Sequence, residues 1–346
     1  MKKPTLCLIF GGKSNEYYVS LNSAYSVITA LEPAYEVIKI GISKNGKWYL
    51  YKGENISIKN DSWEKEGVVP VTIDINEGTF VFEGGKIKPD KILPILHGEN
   101  YEDGKIQSLF DLAGMAYIGC RSSTSHACFD KHITKLIARE QGIRVANDTV
   151  LFKGDPSNEK RIEQFLKNTN FPVFVKPSGA GSSIGAGIVD TPEKLSGAIS
   201  LAFMHSDKVL IEEKIDGTET EIGVIEKNSE IYLSPPGQIK YSEAFYSYDA
   251  KYNQENEYII PAKITEKTKK ELEECAKKLF YALGIRGLCR MDFFVSSPGE
   301  VIFNEVNTMP GFTRASMFPM LFSSTGQSHI EILNNILNGG LDLIFE

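Results

Sequence analysis

A chain of 346 residues with 42% hydrophobic and 24% charged side chains has an ordinary globular balance and room for two or three domains. A net charge of −7 without a basic tract excludes the nucleic-acid-binding classes. No run approaches the ~18 apolar residues of a membrane span, so a membrane partner is not expected either.

In chain order, residues 5–10 read as a buried strand, Gly11-Gly12 as a tight turn and 19–31 as a helix, the opening of a doubly wound α/β unit. The apolar run 5–10 is too short for a signal-peptide core. The five cysteines (Cys7, Cys120, Cys128, Cys275, Cys289) contain no Cys-x-x-Cys pair and read as reduced thiols, so a cytoplasmic location is expected. Further strands are predicted over 35–42, 47–51 after an Asn45-Gly46 turn, 79–82 and 91–96. A helix follows over 103–114, where Ile106, Leu109, Phe110 and Ala113 recur at helical spacing, and the unit closes near Gly119. One continuous helix is predicted over 123–142, then a strand near Thr149, a helix over 157–168 and a strand over 172–176. A glycine- and serine-rich loop to Gly185, a helix over 192–203 and a strand over 209–213 complete a second unit. The third unit holds a helix over 266–283, two acid-bearing strands and a closing helix over 329–337.

Those two strands carry the strongest chemical signal. Side chains alternate along a strand, so Glu305 and Asn307 share a face, as do Arg290 and Asp292 in the run from Leu288 to Val295. Three oxygen ligands without His or Cys suit Mg²⁺. Pairing of the acids with lysines at strand ends explains the same residues equally well. The loop from Lys176 through Gly179, Gly181, Ser182, Ser183 and Gly185 combines one cation with small residues, which lets backbone N–H groups close on a phosphate. A hairpin tip is the plain alternative, and the order is not that of a Walker loop, where Lys follows the glycines. Glu212 and Glu219 could accept from ribose hydroxyls or an adenine amine, whereas Glu213 and Lys214 read as solvated charges at a strand end. Ser14-Asn15-Glu16 could simply cap a helix, and His97 falls at the carboxyl end of a strand, the ligand side of an open α/β sheet. No Ser-His-Asp order appears, and the dispersed histidines argue against zinc.

Taken in order, a set of motifs resembles the D-alanine–D-alanine ligases of the ATP-grasp superfamily over essentially the whole chain. The motifs are Phe10-Gly11-Gly12-Lys13-Ser14-Asn15-Glu16, Leu96-His97-Gly98 with Glu102-Asp103-Gly104, Asp130-Lys131, Val175-Lys176-Pro177 with Gly181 to Gly185, Arg290-Met291-Asp292, and Asn304 through Thr313. The resemblance implies an α/β ATP-grasp fold with an amino-terminal doubly wound α/β substrate domain (1–120), a central ATP-grasp subdomain (121–213) and a carboxy-terminal one (214–346). It implies ATP-dependent joining of two D-alanine molecules through an acylphosphate, for peptidoglycan precursor synthesis, with two Mg²⁺ ions, Mn²⁺ as a possible substitute, and a homodimer.

By the same resemblance, Lys131, Lys176, Ser182, Ser183, Glu212, Glu213, Glu219 and Lys251 would bind ATP. Asp292, Glu305 and Asn307 would hold the metal. Glu16, with His97 and a link to Ser182, would take the first D-alanine, and Tyr252, Ser316 and Met317 would border the substrates. Arg290 and the Gly311 N–H would form an oxyanion hole. Two positions depart from the family pattern: Tyr17-Tyr18 stand where a basic or His residue and a second Glu are usual, and Arg314 replaces a small polar residue. The nearest rival is a sibling ligase that takes D-serine or D-lactate second; the lactate type carries a His in the loop that here reads Tyr248-Asp249-Ala250-Lys251-Tyr252. A nucleotide binder without catalysis is the rival from another class, and a set with an oxyanion arginine and metal ligands speaks against it.

Overall fold

The structure, a computed structural model, describes residues 3–240 and 257–338. The apolar run Thr5–Gly11 (β1) is buried over nearly its whole length, as a strand covered on both faces must be. Gly11 and Gly12 then turn the chain with φ of +88° and +111°; a Cβ on Gly11 would stand 2.1 Å from the Ile42 carbonyl oxygen. The turn delivers the chain into Tyr17–Leu31 (α1), which buries Leu21, Ala24, Val27, Ile28 and Leu31 at helical spacing. Glu36–Ile42 (β2), Trp48–Tyr51 (β3), the short helix Asn55–Lys59 (α2), Val68–Asp74 (β4), Thr79–Phe82 (β5), Gly85–Ile87 (β6), Lys91–Leu96 (β7) and Lys105–Leu112 (α3) complete the first unit. Its sheet runs β6-β5-β4-β3-β2-β1-β7. Only β2, β1 and β7 are parallel; β3 to β6 form an antiparallel extension, and β4 and β6 went unread in the sequence.

The single helix expected over 123–142 is two helices, Ser122–Phe129 (α4) and Lys131–Glu140 (α5). Asp130 breaks it, because its extended backbone lets the carboxylate accept from the His132 and Ile133 N–H groups and cap α5. Asp148–Phe152 (β8), Asn158–Leu166 (α6), Val173–Pro177 (β9), Gly187–Val189 (β10), Pro192–Ala202 (α7) and Lys208–Glu213 (β11) follow. Their antiparallel sheet, β10-β9-β11-β8, has a small core of its own around Leu151, Val175 and Val209.

The last sheet is larger than the sequence reading allowed. It holds Gly217–Lys227 (β12), Glu230–Leu233 (β13), Gly237–Lys240 (β14), Glu257–Ile259 (β15), Leu288–Ser296 (β16) and Val301–Asn307 (β17), in the order β15-β14-β12-β16-β17 with β13 also on β12. Glu266–Ala282 (α8) packs Leu272, Ala276 and Leu279 on this sheet, and Met317–Ser323 (α9) and His329–Leu337 (α10) close the described chain. Residues of α1, α9 and α10 share one core, which joins the first and last units, so the central sheet stands apart and meets them across a cleft. No helix among the described residues is long and apolar enough to cross a membrane.

Candidate active site

Cross-strand pairing assembles the polar face of the last sheet. Arg290 lies opposite Asn307, and Asp292 opposite Glu305, in the β16–β17 register, while Glu221 of β12 lies opposite Asp292 on its other side. A register shift next to Asp292 inserts Asn304 as an extra residue, so that Asn304 and Glu305 both reach the cleft where strict alternation would hide one of them. Arg290 is gripped by anions: its Nε and Nη2 each donate to one Asp292 oxygen at 2.8 Å, and Glu221 Oε2 lies 2.9 Å from Nε. Burial disfavours its charge, yet Asp292 and Glu221 more than compensate and hold the guanidinium firmly protonated.

Lys131 opens α5, which packs on β17, and its ammonium reaches across the cleft, donating to the Ala180 carbonyl at 2.7 Å while lying 3.1 Å from Glu305 Oε2. The start of the glycine loop is tied to the same place. Ser178 Oγ and Lys208 Nζ both donate to Asp130 at 2.6 Å, and the Lys131 N–H donates to the Ser178 carbonyl. Lys176, the penultimate residue of β9, is buried, with its Nζ 3.0 Å from Glu212 and donating to Asn304 at 3.1 Å. Burial pushes its pKa below the usual lysine value, against the pull of Glu212. Glu212 is itself shared: Lys135 Nζ lies 2.8 Å from its other oxygen. Burial would raise the Glu212 pKa, but the two ammonium groups hold it below the ordinary carboxylate value.

Ser182 and Ser183 occupy the left-handed region, φ +50° and +55°, which side chains adopt where a constraint holds them. From there Ser182 Oγ donates to Glu16 at the start of α1, bridging the central unit to the first. Gly98 and Gly181 leave room for that carboxylate, since a Cβ on either would come 2.8 Å and 3.3 Å from Glu16 Oε2. His97 is buried, with its Nδ1 3.6 Å from Glu102 Oε1.

Two cavities fill the cleft. The larger, about 840 Å³, is bordered by Glu16, His97, Arg290, Asn307, Gly311, Ser316 and Met317. The smaller, about 420 Å³, is bordered by Lys176, Ser183, Glu212, Glu213, Glu219 and Phe294. Lys131, Ala180, Ser182, Ile239 and Glu305 line both. Asp292 lines neither; it lies behind Arg290. Lys251 and Tyr252 fall outside the described residues. Of the two departures from the family pattern, Tyr17 turns inward, donating to Asp61 at 3.0 Å and accepting from Trp63 Nε1 at 2.9 Å. Tyr18 borders the larger cavity under Lys44, whose Nζ sits 4.2 Å from its ring centre. Arg314 is exposed.

Three site residues escaped the sequence reading: Lys135, Asn304 as a side chain, and Glu221. Two of them left a signal. Lys135 is one turn from Lys131 on α5, and Glu221 is one strand period from Glu219.

Two family models cover the chain, D-ala D-ala ligase N-terminus over residues 5–120 and D-ala D-ala ligase C-terminus over residues 137–338. The chain belongs to the D-alanine–D-alanine ligase family. A relative from Thermoanaerobacter sp. strain X514, named D-alanine–D-alanine ligase, is 38% identical and is matched over 98% of this chain and 96% of its own. Among solved structures, VanG D-Ala:D-Ser ligase from Enterococcus faecalis superposes with a TM-score of 0.90 at 34% identity, covering 97% of this chain and 99% of its own. The D-alanine–D-alanine ligase from Coxiella burnetii gives 0.87 at 26% identity, over 98% and 94%. The three sheets and the cleft between them are thus the ATP-grasp fold, the protein is a ligase, and ligases of this family use ATP and a divalent metal.

Proposed function

We propose that the smaller cavity receives ATP, that the larger receives two D-alanine molecules, and that the γ-phosphoryl crosses where the two meet. The observation that carries this reading is the shared border of Lys131, Ser182 and Glu305, which puts a cation, a hydroxyl and a carboxylate at one junction. The protein joins D-alanine to D-alanine with consumption of ATP, as peptidoglycan precursor synthesis requires.

Donor and acceptor of the phosphoryl group are both anionic, so charge neutralisation is the first requirement. Lys131 and Lys176 supply it from the protein side. Asp292, Glu305 and Asn307 present oxygen donors at neighbouring positions of one sheet face, a set that fits Mg²⁺, or Mn²⁺ in its place, and two ions are the expected number. Bound there, the divalent ions neutralise phosphate charge. Glu16 takes the ammonium of the first D-alanine, aided by His97. The carboxylate oxygen of that D-alanine attacks the γ-phosphorus, ADP leaves, and D-alanyl phosphate, an acylphosphate, forms. The amine of the second D-alanine, having lost a proton, attacks the acyl carbon and expels phosphate. Arg290 and the Gly311 N–H stabilise the oxyanion of that step, a role worth on the order of 3 kcal/mol per donor.

Glu213 and Glu219 serve the nucleoside, and by the family resemblance alone Lys251 serves ATP and Tyr252 the substrate. Glu212 acts as the common counter-ion of Lys135 and Lys176 rather than as a base or ribose acceptor. Ser316 and Met317 border the second substrate; Met317 packs with Ile239 and Leu321, and an apolar wall there favours a methyl over a hydroxymethyl side chain. A hydroxyl left without a partner against that wall costs about 1–3 kcal/mol. The domain boundaries fall near 120 and 213, the protein works in the cytoplasm, and its expected assembly is a homodimer. The test is phosphate release from ATP with D-alanine alone, followed by competition between equal D-alanine and D-serine and between equal D-alanine and D-lactate, read by mass spectrometry. Predominant D-alanyl-D-alanine is expected. Predominant D-alanyl-D-serine would overturn the subsite reading and align this chain with its VanG neighbour, and no phosphate release with any of the three would overturn the ligase reading.

A further inference from the structure

We infer that Glu221 is a positioning residue that keeps Arg290 aimed at the reacting carbonyl while Asp292 is committed to metal. This rests on the ligase reading above. The observation is a competition for one carboxylate. Both Asp292 oxygens accept from Arg290, through Nε and Nη2 at 2.8 Å each, and the same Asp292 is a proposed ligand of the divalent ion. A carboxylate that turns an oxygen to a metal weakens its bidentate grip on a guanidinium. Arg290 would then lose its orientation at the moment its charge is needed, because a largely buried cation requires another anion close by.

Glu221 fills that requirement. Its Oε2 lies 2.9 Å from the same Nε that donates to Asp292, so a small rotation of the guanidinium transfers the hydrogen bond from one carboxylate to the other. The sheet enforces the arrangement: β12 is the strand next to β16, and Glu221 sits in direct register with Asp292. Glu221 is 1% exposed, so its carboxylate is not diluted by solvent, and it borders the larger cavity together with Arg290. Glu219, Glu221 and Asp292 bring three carboxylates within 4.8 Å of one another. The Arg290 cation holds Glu221 and Asp292 together in that group.

The experiment compares the parent protein with Glu221→Gln, using Glu305→Gln as the metal-ligand reference. Mn²⁺ binding is counted by electron paramagnetic resonance, the active fraction is titrated, and kcat and KM are measured for D-alanine and ATP. Glu221→Gln should lose about ten- to a hundredfold in kcat per active site, with both KM values within about threefold of the parent. It should bind Mn²⁺ a fewfold more weakly, because Arg290 then holds Asp292 harder. Glu221→Asp, which keeps the charge but withdraws it by one methylene, should recover part of kcat. Parent values for kcat per active site and Mn²⁺ affinity in Glu221→Gln would overturn the inference and leave Glu221 a structural ion-pair partner. Loss of Mn²⁺ binding equal to that of Glu305→Gln would overturn it the other way, making Glu221 a metal ligand. If Glu221→Gln does not fold, Glu221→Asp carries the comparison, and parent kcat and Mn²⁺ affinity there would overturn the inference. A parent that neither binds Mn²⁺ nor ligates D-alanine would instead sink the ligase reading.

Discussion

Replacing Glu212 by glutamine should expose how far the nucleotide site depends on one buried counter-ion. Glu212 is 4% exposed and sits between two ammonium groups, Lys135 at 2.8 Å and Lys176 at 3.0 Å, of which Lys135 is fully buried. Removing one partner of a buried pair costs about 3–5 kcal/mol, because the other charge is left without compensation. Here the substitution strands two cations. Lys176 keeps its hydrogen bond to Asn304, and the glutamine retains one acceptor oxygen, so about 3 kcal/mol is expected for Glu212→Gln and up to about 5 for Glu212→Ala. Urea unfolding followed by circular dichroism reads the loss, and ATP KM reads the misplacement of Lys176. Lys135→Met made alongside Glu212→Gln should recover about 1–2 kcal/mol of it, since neighbours in one network couple by that order. The acid side supplies a second check. The Glu212 carboxyl titrates below its ordinary 4.5 in the folded protein, so its contribution is complete above 4.5 and fades as pH falls through the lowered value. The stability gap between parent and Glu212→Gln should therefore narrow below pH 4.5. A gap under about 1 kcal/mol at neutral pH with unchanged ATP KM would refute the counter-ion argument and return Glu212 to the nucleoside.

Arg290→Ala should lower ligation at least about a hundredfold while ADP still binds, because the guanidinium acts on charge that develops in the transition state; equal losses in both would assign Arg290 to the nucleotide. Gly98→Ala should raise the KM for D-alanine, since φ is +81° and the new Cβ would stand 2.8 Å from Glu16 Oε2. Gly114→Ala, at φ +60° with open space, is the control: it should cost about 1–2 kcal/mol of stability and leave KM alone, and a KM rise in both variants would discredit the steric account. Burial pushes the Cys120 thiol up to about 12 and Cys275 to about 11, so a thiol-specific chromogenic reagent at pH 8 should label the native protein slowly, Cys275 before the buried four; fast release of all five would show that the core opens readily.

The chemistry of the last two strands could be read without coordinates because a two-residue period is a property of the chain: Arg290 with Asp292, and Glu305 with Asn307, must share faces in any sheet. The glycine loop and the turn at Gly11-Gly12 were legible for the same reason, since small residues in a row mark places where backbone comes close to something. What the chain could not state was partnership. Strand β12 was missed because Glu219, Thr220 and Glu221 look like surface residues until Arg290 of the neighbouring strand explains why such acids are buried. The extra residue Asn304 arises from how β17 pairs with β16, and Lys135 joins the site only because α5 packs on β17 and its ammonium reaches Glu212 of β11. The break at Asp130 was written locally, in an Asp that caps a helix, but helical spacing on both sides concealed it. Local sequence therefore determined which chemical groups exist and which face each strand presents, because those follow from covalent geometry. Tertiary structure alone decided which charges meet in the cleft, because a buried ion is tolerable only where a partner distant in sequence arrives within about 3 Å of it.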